Sequence, residues 1–156
     1  MSIKPIPEGY PVVSAYICVD GAEDAIVFYS AVFGATERMR LGAPDGKIGH
    51  AELAIGDSVV MLSDEFPEWG ARGPTAFGGT AVTLGVYVED VDATFARAVE
   101  RGAQVVRPVE DQFYGDRSGQ FLDLWGHRWS VASRIEDVAP DEMARRATAA
   151  MGGDES

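Results

Sequence analysis

Apolar and polar positions change rhythm along this chain in an order that occurs twice. Val12-Val13-Ser14-Ala15-Tyr16-Ile17-Cys18-Val19 alternates like a strand with one buried face, and Ala81-Val82-Thr83-Leu84-Gly85-Val86-Tyr87-Val88 does the same. An acidic turn follows each, Asp20-Gly21 and Glu89-Asp90, and then the period lengthens. Ala22, Ala25, Ile26, Tyr29, Val32 and Phe33 recur at helical spacing in the first half, and Val91, Phe95, Ala98 and Val99 do so in the second. Asp20 with Glu23 reads as a capping box, and Asp90 as an N-cap. Both helices are expected to stop at Gly-Ala, Gly34-Ala35 and Gly102-Ala103, where glycine suits a left-handed C-cap.

Three short strands are predicted after each helix. They span about 35–41, 47–54 and 58–63 in the first half and about 104–110, 114–123 and 128–134 in the second. Turn residues at Ala43-Pro44-Asp45-Gly46, Ile55-Gly56-Asp57 and Trp125-Gly126-His127 separate them. The pattern is βαβββ twice, an α+β class, with modules over 12–64 and 81–134. Pro and Gly mark 65–80 as a linker, and a tail over 137–156 begins as a helix at Pro140 and is expected to fray from Gly152 to Ser156.

Composition narrows the partners. The chain has 156 residues, with 13 basic side chains against 25 acidic ones and a formal net charge of −12. Nucleic-acid binding draws its affinity from Lys and Arg on phosphates, and anionic membrane surfaces attract basic segments, so neither partner is expected. No apolar run approaches the roughly 20 residues of a membrane helix. The opening segment Met1–Pro7 lacks the apolar stretch of a secretion signal, which points to the cytoplasm. Cys18 stands alone, so no internal disulfide is possible.

Several stretches resemble one superfamily. These are Ala25-Ile26-Val27-Phe28-Tyr29 with Phe33-Gly34-Ala35, His50-Ala51-Glu52-Leu53, Val88-Glu89-Asp90-Val91-Asp92-Ala93, Tyr114-Gly115-Asp116-Arg117 and Asp123-Leu124-Trp125-Gly126-His127-Arg128-Trp129. Together they are similar to the vicinal oxygen chelate superfamily, which contains glyoxalase I, extradiol dioxygenases and bleomycin-resistance proteins, and within it to the PhnB-like branch. The resemblance implies one domain over 1–136, two βαβββ modules forming a curled mixed sheet around a concave cavity, and a homodimer. It also implies that metal-dependent members place a His or Glu ligand on the first and last strands of each module. Such an ion would stabilise a developing oxyanion or bind oxygen.

Carried onto this chain, the ligand positions fall on Ser14, Thr83, Ser130 and either Val60 or Met61. Hydroxyls without carboxylate or imidazole company hold dications weakly, so no cofactor is expected there. A displaced site at His50 and Glu52, two apart on one strand, is the alternative. Alternation places Ser14, Tyr16, Thr83, Tyr87 and Ser130 toward the cavity, with Phe113 and Arg117 as further ligand-binding candidates. Glu52, Tyr114 and Asp116 are the candidate acids and bases. The expectation is a small-molecule binding protein without the usual metal. The alternatives are a lyase, isomerase or dioxygenase using His50 and Glu52, and a non-catalytic dimeric scaffold.

Overall fold

A computed structural model describes residues 2–152, and the expected fraying of 153–156 lies outside them. The chain divides into two compact units, Met1–Thr80 and Ala81–Ser156. Each carries its own four-stranded mixed sheet, one for each βαβββ module.

In the first unit β1 (Ala15–Val19) leads into α1 (Ala22–Phe33), followed by β2 (Thr36–Gly42), β3 (Ile48–Ile55) and β4 (Ser58–Asp64). The sheet order is β1-β4-β3-β2, with β1 parallel to β4 and the other pairs antiparallel. In the second unit β5 (Thr83–Tyr87), α2 (Val91–Glu100), β6 (Gln104–Asp111), β7 (Asp116–Leu122) and β8 (Arg128–Arg134) repeat that plan as β5-β8-β7-β6. The first strand of each unit is shorter than its alternation suggests. Pairing starts at Ala15 opposite Val60, and Val12 and Val13 stand exposed before it.

Each helix lies on one face of its sheet through the residues that recur at helical spacing. Ala22, Ala25, Ile26, Tyr29 and Val32 of α1 are buried, joined by Phe28, over Ile17, Val19, Leu53 and Leu62 of the sheet. Excluding water from each such large side chain contributes roughly 1.5–3 kcal/mol. In α2, Val91, Phe95 and Ala98 are buried as expected; Thr94 joins them, and Val99 lies too far round the helix to be covered.

The helix starts differ from expectation in one respect. Asp90 caps α2, accepting from the Ala93 N–H at 3.1 Å. In α1 the N-cap position belongs to Gly21, and the carboxylate comes from the end of β4. Asp64 Oδ1 accepts from the Gly21 and Ala22 N–H groups at 3.0 and 2.8 Å, while Oδ2 accepts from the Ile48 N–H at 2.7 Å. A strand end thus ties together helix, turn and neighbouring strand. Both helices do end at glycine, Gly34 directly at the C-cap and Gly102 one residue beyond it.

The linker is ordered rather than extended: two short 3-10 turns, Pro67–Trp69 and Pro74–Phe77, belong to the first unit. The tail helix α3 (Pro140–Ala150) is anchored by Arg146, which donates to the Phe113 carbonyl at 3.1 Å and forks onto Glu136 at 2.6 and 3.0 Å.

Candidate functional site

Each sheet has one face under its helix and one open face. In the first unit alternation turns Ile17 and Val19 toward α1 and leaves Tyr16 and Cys18 on the other side. Register then sets Tyr16, Met61, Glu52 and Met39 in one row across the open face, and His50 beside Leu41 in the next. Val60 pairs with Ala15 and is buried on the helix side, and Met61 takes the open position beside Tyr16.

Four side chains on this face form a continuous hydrogen-bonded chain. Tyr10 donates its hydroxyl to Glu52 Oε1 at 2.6 Å, His50 Nε2 lies 2.8 Å from Glu52 Oε2, and the Tyr16 hydroxyl lies 2.9 Å from His50 Nδ1. Glu52 is only 5% exposed. The Tyr10 hydroxyl first, and then His50, hold its carboxyl below the usual carboxylate range. An ionised carboxylate only accepts, so Nε2 carries a proton, and in the neutral ring Nδ1 accepts from Tyr16. Donation to a carboxylate pushes the Tyr10 hydroxyl up, and burial does the same to Tyr16. Arg38 fixes the approach of Tyr10, with its guanidinium 4.5 Å from the ring centroid and Nη1 donating to the Gly9 carbonyl at 3.0 Å. Tyr10 is the member that sequence reasoning missed, since no periodicity links a residue before β1 to the middle of β3.

In the second unit the open face carries the rows Thr83–Arg128–Leu122, Gly85–Ser130–Gln120 and Tyr87–Ala132–Ser118, with Asp116 opposite Arg134 at the end. Tyr87 donates to Asp116 Oδ2 at 2.7 Å, and that bond raises the Tyr87 hydroxyl. Asp116 Oδ1 is buried without a hydrogen bond among the described residues; Arg134 Nε is 3.7 Å away. Tyr114 sits in the turn before β7 rather than in a strand, yet its hydroxyl reaches to 3.5 Å from Ser118 Oγ. Phe113 packs edge-on to Tyr114 in the same turn. Arg117 faces the other way. It forks onto Asp92 of α2 with two bonds of 3.0 Å and donates to Asp111 at 3.0 Å, clamping helix to sheet. Trp129 is likewise on the helix side, donating its indole N–H to Asp123 at 2.9 Å. Cys18 is half-buried near the Asp64 carbonyl, and burial pushes its thiol up, away from a reactive thiolate.

The positions that the superfamily resemblance assigns to metal ligands carry side chains that suit a dication poorly. Ser14 precedes β1, Thr83 opens β5 and Ser130 lies mid-β8, all neutral hydroxyls, and Met61 offers a thioether, a soft donor. At the displaced site both ring nitrogens of His50 and both oxygens of Glu52 already have partners. A dication there would have to displace Tyr10 or Tyr16 and strip a proton from Nε2. Among the described residues no group of three or more His, Cys, Asp or Glu side chains is arranged to hold an ion.

Comparison with known proteins agrees with this architecture. A protein of Mycobacterium bovis is 45% identical over 136 residues, covering 85% of this chain and 90% of its own. The crystal structure of TioX from Micromonospora sp. ML1 superposes with a TM-score of 0.62 at 29% identity, covering 79% of this chain and 98% of that one. The PhnB protein of Bacillus cereus gives a TM-score of 0.63 at 17% identity over 79% and 99% of the two chains, a likeness of fold alone. The profile of the Glyoxalase/Bleomycin resistance protein/Dioxygenase superfamily matches residues 11–131. The chain belongs to the glyoxalase/bleomycin resistance protein/dioxygenase superfamily.

Proposed function

We propose that the protein binds a small molecule on an open sheet face without the help of a divalent ion. The observation that carries this reading is the donor set at the superfamily's ligand positions: Ser14, Met61, Thr83 and Ser130 bring no charge to offset the lost hydration of a dication. The open faces present Tyr16 and Met39 in the first unit and Tyr87 in the second, each at least a third exposed. Aromatic and thioether side chains of this kind suit an apolar body with polar edges. A thermal-shift panel in the presence and absence of EDTA tests the reading. A ligand at a hundred times its Kd raises native stability by about 2.7 kcal/mol, and the shift should survive chelation. Shifts that require added metal, or a panel with no shift at all, would contradict it.

Buried Glu52 favours a second reading, in which the Tyr10–Glu52–His50–Tyr16 chain serves acid–base chemistry on the bound molecule. Glu52→Gln then abolishes turnover while the protein stays folded, and unchanged turnover removes this reading. The homodimer is part of the first proposal and draws support from exposed Val12, Val13, Trp69 and Phe77. Light scattering at twice the chain mass is the expected result.

A further inference from the structure

We propose that the Thr83–Arg128 end of the second sheet's open face is a subsite for an oxyanion, a carboxylate or phosphoryl group carried by the small-molecule ligand. The inference rests on the binding reading above and adds the charge of what is bound. Arg128 lies between Thr83 and Leu122 in one row, and Ser130 lies between Gly85 and Gln120 in the next, with Arg107 beyond Gln120. Neighbouring strands are about 4.8 Å apart and alternate residues along a strand about 6.6 Å apart, so two hydroxyls, an amide and a guanidinium line one patch of the face, roughly 10 Å by 7 Å. Neither row contains an Asp or Glu.

Arg128 is the unusual member. Its Nε is buried and has no hydrogen-bond partner, and neither Arg128 nor Arg107 enters an ion pair among the described residues. That runs against the charge balance of a chain in which acidic side chains outnumber basic ones 25 to 13. Arg40, Arg117 and Arg146 all sit on carboxylates. A buried N–H of a cation left unpaired is destabilising, and such groups in folded proteins call for a specific partner. The planar guanidinium fork matches the two oxygens of a carboxylate or phosphoryl group, and Thr83, Ser130 and Gln120 can each donate one further bond. Space for that group is present at Gly85, where an added Cβ would meet nothing within 4 Å.

Isothermal titration of the full-length protein with benzoate, phenyl phosphate and neutral benzyl alcohol tests the subsite. The two anionic probes separate a planar from a tetrahedral oxyanion. At least one should bind about tenfold or more tightly than the alcohol, and Arg128→Gln should remove that preference. Gly85→Val should block the same probe while keeping or raising Tm, because a β-branched residue suits an exposed strand position with free space around it. Anion binding unchanged in both variants, or an alcohol that binds as well as the anions, would overturn the subsite and leave small-molecule binding intact. A protein that binds other panel compounds but neither anion also overturns it. A protein that binds nothing in the panel overturns both.

Discussion

Asp64 closes β4 in the first module, and Ser133 holds the corresponding place on β8 in the second. Both reach the N-terminus of their module's helix. Asp64 gathers three backbone N–H groups with a full charge, whereas Ser133 accepts one from Val91 at 3.1 Å and returns its own proton to the Val88 carbonyl at 2.7 Å. The second helix needs less from its strand because Asp90 already caps it. The open faces diverge in the same way. The first module's face has a buried carboxylate satisfied by Tyr10 and His50, and the second has a guanidinium whose Nε has no partner. A repeat therefore preserves the backbone plan while its polar groups are redistributed, and the face with the unsatisfied group is where a ligand has work left to do.

The sharpest way to break the equivalence of the modules is at the turn after their second strands. Gly46 and Gly115 both adopt left-handed conformations, φ 74° and 95°. Around Gly46 an added methyl meets nothing, but at Gly115 it would lie 2.4 Å from the Glu136 carbonyl oxygen and 3.1 Å from Val138. Gly46→Ala should cost about 1–2 kcal/mol for the backbone conformation alone, and Gly115→Ala about 3–5 kcal/mol once crowding is added. Urea unfolding of the two variants measures the difference. Equal losses would mean that the segment after β8 does not clamp the turn.

The helix caps give the next largest contrast. Asp64→Ala should destabilise the protein by about 3 kcal/mol, since it strips partners from three N–H groups at once. Ser133→Ala should cost about 1 kcal/mol. The same unfolding experiment checks both, and a Ser133 loss as large as that of Asp64 would refute the division of labour.

The smallest effect lies on the acid side. Glu52 is held below its ordinary value of 4.5 by its hydrogen bonds. Its contribution is fully present above the unfolded-state pKa and fades as pH falls through the lower folded value. Stability measured from pH 7 to pH 3 should therefore decline less steeply in Glu52→Gln than in the parent, and Tyr10→Phe should fall between them. Parallel pH profiles would show that the network does not hold the carboxylate.

Much of this was legible in the sequence, for reasons that can be located. The βαβββ repeat follows from a period of two giving way to helical spacing at matching places, and both Gly-Ala stops sit where glycine alone fits easily. What escaped depends on contacts far apart in the chain. Asp20 and Glu23 lie close enough to suggest a capping box, but the cap comes from Asp64, which no local pattern connects to Gly21. Val12 and Val13 alternate correctly yet fall outside β1: pairing with β4 starts only at Ala15 opposite Val60, although the same register would set Val13 against Ser58, the first residue of β4. Arg117 has the right chemistry for an anion but the wrong face, whereas Arg128, two residues before Ser130 on the same strand, was within reach of the alternation argument. The candidate residues Ser14, Thr83 and Ser130 were named from the sequence, and their neutral chemistry needed no structure.

Elemental analysis of the purified protein after dialysis, followed by titration with manganese, nickel and zinc, decides whether binding here is metal-free. The protein should retain no divalent ion near one per chain and take none up tightly on addition. One equivalent retained per chain, lost when Ser130 or His50 is replaced by alanine, would contradict it.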